Sequence, residues 1–173
     1  MSRFRPSKQA DKDQGFTAVE LIIVLVLLGL VATLTLPNLQ TWQARYELRT
    51  AADQLAADIR EMEQLALSYR EEGLNPENDN FQVWLYPGSD CYYLKRIGIH
   101  SWSQERNMPR SVDLYTTNFD NHKIIIGLRG TVTRGGTVTL QSRRTGEFFY
   151  VIVASLTGRV RVSRVPPESW EIS

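Results

Sequence analysis

The feature that most constrains this chain is an apolar run near its start. From Leu21 to Ala32 every residue is apolar or Gly, and the apolar character continues to Leu36 with only Thr33 and Thr35 interrupting it. Ala18 to Leu36 is 19 residues. As a helix rising about 1.5 Å per residue, this stretch reaches about 28 Å. A bilayer core is about 30 Å thick, so the run reads as a membrane span over 18–36. One residue does not fit a bare span. Glu20 sits near the start, and an acidic side chain costs about 2.5–3.5 kcal/mol at the centre of a bilayer and less toward its edge. Such a carboxylate asks for a cationic partner.

The rest of the chain follows from that run. With 173 residues there is room for one such helix and one further domain, a domain commonly being about 100 residues. Residues 1–15 carry four basic and two acidic groups. A Lys/Arg excess ahead of a span orients the N-terminus to the cytoplasm and leaves the bulk of the chain outside. The run is longer than the apolar region of a secretory signal, and no small-x-small cleavage site follows it.

Pro37 cannot donate to the carbonyl of Thr33 and predicts a kink. Beyond it, Leu48, Ala52, Leu55, Ile59, Met62, Ala66 and Tyr69 recur at spacings of three and four, one apolar stripe on an amphipathic helix. Gly73 and Asn75-Pro76 stop it, so a single helix is predicted from about 17 to 71. After Asn80 the period changes to two. Strands are predicted at Phe81–Tyr86, Cys91–Arg96, Val112–Thr116, Lys123–Leu128, Thr137–Gln141, Phe148–Ala154 and Arg159–Ser163. Trp84, Leu85, Val138, Leu140, Phe149, Val151 and Val153 are the predicted core, and 97–111 reads as a loop containing Trp102.

Gly15-Phe16-Thr17-Ala18-Val19-Glu20, set directly before the apolar run, resembles the prepilin cleavage site of type IV pilins and type II secretion pseudopilins. The resemblance implies a cut between Gly15 and Phe16, methylation of the new N-terminal Phe16, and an assembly role for Glu20. Gly29 and Pro37 stand where pilins often have Gly and Pro; Ala18 stands where Leu is usual. On that resemblance the new amine on Phe16 would be the cation that Glu20 asks for, in the same chain or in a neighbour. Further on, Gly136-Thr137-Val138-Thr139-Leu140, then Phe149–Ala154, then Ser155-Leu156-Thr157-Gly158-Arg159-Val160 resemble the GspH/FimT group of minor pilins and pseudopilins.

Taken together, the resemblance implies a pilin-like α+β fold. It has a cleaved leader over 1–15 and an N-terminal helix over 16–72 whose first half is transmembrane. That helix packs on a C-terminal antiparallel β-domain over 73–173. The implied function is a minor pilin or pseudopilin subunit of a type II secretion or type IV pilus-like filament. Its implied partners are a prepilin peptidase, other pilins or pseudopilins, and an assembly platform in the bacterial inner membrane. The implied location is that membrane, crossed once, with the C-terminal domain periplasmic or extracellular.

Residues 129–164 hold seven Arg against Glu147 alone, the one strong local charge bias. Arg159 and Arg161 fall on one face of a strand, and Arg143-Arg144 lie near a hairpin turn. Together they form a candidate phosphate-binding surface. A Gly-Arg-x-Arg element resembles that of DNA-uptake pilins, so DNA is the alternative partner and natural competence the alternative setting. A solvated strand face, or pairing with a neighbouring subunit, explains the same arginines. Enzyme signatures are missing: there is no His-Glu-x-x-His, Gly-x-Ser-x-Gly or phosphate-binding Gly-rich loop. With one cysteine, Cys91, and two distant histidines, His100 and His122, no metal, cofactor or catalytic residue is expected. Asp113 and Asp120 read as surface carboxylates.

Overall fold

A computed structural model describes residues 17–68, 79–98, 100–155 and 157–168, without the side chains of 34–38. The chain divides into two units, Met1–Leu39 and Gln40–Ser173. One helix, α1, is assigned from Ala18 to Ser68. It is described in two pieces, 18–33 and 39–68, on either side of the five residues whose side chains are not described.

In the first unit, Ala18 to Thr33 is helical with every residue exposed. No helix among the described residues is long and apolar enough to cross a membrane. This overturns the predicted fold with a transmembrane first half over 18–36. An α+β composition remains compatible with the structure. Pro37, where the sequence predicts a kink, falls inside the assigned α1 among the five residues whose side chains are not described; the stripe residue Tyr69 lies outside the described residues.

In the second unit, the amphipathic stripe forms as the spacing requires. Leu48, Ala52, Leu55, Ile59, Met62 and Ala66 are buried in one apolar core with both sheets. Ala51 and Ala56 join them, and such small side chains let the helix backbone approach closely. Among the described residues eight strands follow: β1 Asn80–Leu85, β2 Cys91–Ile97, β3 Trp102–Asn107, β4 Val112–Thr117, β5 Lys123–Ile126, β6 Gly136–Ser142, β7 Phe148–Val153 and β8 Val160–Ser163. They make two four-stranded antiparallel sheets, ordered β3-β2-β1-β5 and β4-β6-β7-β8. Phe81, Val83, Leu85, Tyr92 and Leu94 bring the first sheet to the core, and Leu114, Val138, Leu140, Val151 and Val153 bring the second.

Two expectations fail here. Residues 102–107 are an edge strand, not a loop. Its six residues include one apolar side chain, Trp102, and polar edges of this kind discourage unwanted pairing, which is why no hydrophobic period marked it. Trp84 is not core. It alternates with the buried Val83 and Leu85, and successive strand residues point to opposite faces.

Candidate functional site

The first site residues sit at the start of α1. Thr17 precedes the helix, its carbonyl accepts from Leu21 N at 3.1 Å, and its Oγ1 accepts from Glu20 N at 3.3 Å. Thr17-x-x-Glu20 is therefore half of a capping box, in which the third helical residue is a Glu or Gln and the capping residue a Ser or Thr. The sequence carried that signal, and reading Glu20 only as a membrane carboxylate missed it. Glu20 is exposed in the first turn, where the helix dipole favours negative charge. Gly15 and Phe16, the expected cleavage and methylation positions, lie outside the described residues, so the expected pairing of Glu20 with a Phe16 amine does too. From Val19 to Val31 the large apolar side chains are roughly half to two-thirds exposed, Val24 least at 46% and Val19 most at 65%.

The arginines do not form one patch. Arg143 and Arg144 lie in the turn after β6, beside the Phe148 end of β7. Arg159 precedes Val160, which pairs with Val153 at the other end of β7. The six residues of β7 hold the two pairs roughly 17 Å apart along the strand. Arg143 is bound to Asp90 Oδ1 at 2.5 Å and Asp113 Oδ1 at 3.3 Å. The hydrogen bond with Asp113 comes first among the causes that raise its guanidinium pKa. Arg144 donates to Gln40 Oε1. Arg159 and Arg161 do share an exposed face of the edge strand, with Val160 buried between them.

A second cluster was not singled out by sequence reasoning. On the outer face of the first sheet, Lys95 Nζ stands 3.5 Å from the Trp84 ring centre and Lys123 Nζ 3.9 Å from it. Trp84 Nε1 donates to Gln82 Oε1 at 2.6 Å. The alternation of β1, followed strictly, puts Gln82 and Trp84 on one outward face. Grouping Trp84 with its neighbour Leu85 hid this.

Among the described residues no group of three His, Cys, Asp or Glu could hold a metal ion. No family model, curated protein or solved structure matches the chain.

Proposed function

We propose that this chain is a minor pilin or pseudopilin subunit, cut after Gly15 and assembled into a filament through its N-terminal helix. One observation carries the reading. A helix exposed on all sides and apolar along nearly its whole first unit begins at Thr17–Glu20, directly behind the Gly15-Phe16 pair. Covering a large apolar side chain is worth about 1.5–3 kcal/mol when complete. Eleven such side chains from Val19 to Val31 stand exposed, so the helix needs a partner around its whole circumference. Corresponding helices of neighbouring subunits supply that partner. At Gly29 nothing lies within 4 Å of where a Cβ would be, and small residues of this kind allow two helix backbones to approach closely. The β-domain is then what the filament displays outside the cytoplasm.

Glu20 has two candidate roles here, and one substitution separates them. Glu20→Gln keeps a capping-box residue but removes the charge. If Glu20 pairs with a neighbour's Phe16 amine, the Gln variant drops out of the sheared filament fraction as fully as Glu20→Ala. Wild-type incorporation of Glu20→Gln would assign the residue to capping and refute the pairing. The alternative, DNA held by Arg159, Arg161, Arg143 and Arg144 together, gains no support from the register, which separates the two pairs.

A further inference from the structure

The outer face of the first sheet carries chemistry that filament assembly does not use. β2 and β5 flank β1 on its two sides, with Trp84 opposite Tyr93 on one and Lys123 on the other, and Lys95 opposite Gln82. Both ammonium groups are thereby drawn to one indole ring. Among the described residues no carboxylate pairs with either. Glu105, which the register places opposite Tyr93, accepts from Tyr93 Oη at 3.1 Å.

Beside this pair lies a cavity of about 320 Å³, lined by Trp84, Tyr86, Pro87, Asn121, His122 and Lys123. That volume lies within the range of small-ligand clefts, roughly 300–1,000 Å³. Tyr86 is 40% exposed and packs edge-on against Tyr93 at 5.5 Å. The opposite wall is strained. Asn121 and His122 are consecutive non-glycine residues with φ of 51° and 57°, a strained conformation that clusters at functional sites.

The geometry points to a binding site for single-stranded nucleic acid on this face, with one backbone phosphate on Lys95, another on Lys123 and a base in the cavity beside Tyr86. Two ammonium groups without carboxylate partners call for an anion. The aromatic wall and the Asn121 and His122 side chains suit a flat ring with polar edges. Such a combination of cations and stacking platforms is what sequence-tolerant strand binding uses. An acidic polysaccharide fits less well, because the Trp84 ring already carries ammonium groups and offers no bare platform to a sugar's C–H face. The site is separate from Arg159 and Arg161 and does not depend on the filament reading.

The test is fluorescence anisotropy of a labelled oligothymidylate with the full chain in neutral detergent. Two phosphate contacts on a single strand give a salt slope of about −1.4, a loss of about sevenfold between about 50 mM and about 200 mM salt. Lys95→Gln with Lys123→Gln removes that dependence, and Tyr86→Ala weakens binding roughly tenfold. Both variants keep the wild-type melting temperature, since these side chains lie outside the core. Arg159→Ala with Arg161→Ala binds as the wild type does. A mononucleotide binding as tightly as the oligomer would restrict the site to free nucleotides and overturn the strand assignment. Equal affinity for duplex DNA or a polyuronate of matched charge would overturn it as well, as would no binding at low salt or wild-type binding by the double lysine variant.

Discussion

At the scale of single residues, Glu63 and Gly158 define each other. Gly158 has φ +65°, and a Cβ there would lie 2.8 Å from Glu63 Oε1 and 3.2 Å from the Gly130 carbonyl oxygen. Only glycine meets both conditions without strain. Glu63 Oε1 is sealed and makes no hydrogen bond among the described residues. Burial pushes its carboxyl from the ordinary 4.5 up to about 7, against the opposing pull of Arg60. The folded state therefore prefers the protonated form. That preference stabilises fully below about pH 4.5 and is lost as pH rises through about 7. Glu63→Gln should melt higher than the wild type at about pH 8 and no differently at about pH 4. Parallel melting curves across that range would contradict this account. The glycine was legible in the sequence as part of the Thr157-Gly158-Arg159 turn. The carboxylate was not, because its partner comes from about a hundred residues away in the chain and no local pattern links them.

At the scale of elements, the helix is tied to the first sheet by a buried polar knot. Asp58 is 2% exposed. It accepts from Tyr92 Oη at 2.6 Å and from Gln54 Nε2 at 2.8 Å, and its Oδ2 lies 3.3 Å from Arg106 Nε. Burial first, then the hydrogen bond to Asp58, drive the Tyr92 phenol well above its usual range. The second sheet is held by Arg60, which donates to the Val160 carbonyl at 2.8 Å, and by Arg45 against both oxygens of Glu147. Asp58→Ala leaves a buried hydroxyl and a half-buried guanidinium without their acceptor, so it should cost about 3–5 kcal/mol in urea denaturation. A loss under about 1 kcal/mol would show that the knot does not tie helix to sheet. Seven of the eight strands were legible because one of their faces is apolar and the period of two survives. β3 was missed because its pairing partner, β2, supplies the order that its own sequence of Ser103, Gln104, Glu105 and Arg106 does not advertise. The two arginine pairs part for the complementary reason. Closeness in sequence placed Arg143, Arg144, Arg159 and Arg161 together, while the antiparallel register sends the two pairs to opposite ends of β7.

For the molecule as a whole, the two units make opposite demands. The second, Gln40–Ser173, buries one apolar core between a helix and two sheets. The first presents an apolar helix with every described residue exposed, and its requirement for a partner is what the filament reading answers. The expectation that this helix crosses a membrane rested on the whole run from Ala18 to Leu36, and the described residues do not sustain it. What remains of the opening stretch is a capped helix start, a carboxylate in its first turn, and a Gly15-Phe16 junction directly ahead. The central claim is that this junction is cut. Intact mass and N-terminal sequence of the full chain, co-expressed with an active prepilin peptidase, test it directly. The account predicts loss of the 15 residues Met1 to Gly15 and a new N-terminus at Phe16. A chain of unchanged mass, in cells where a control prepilin is processed, would contradict it.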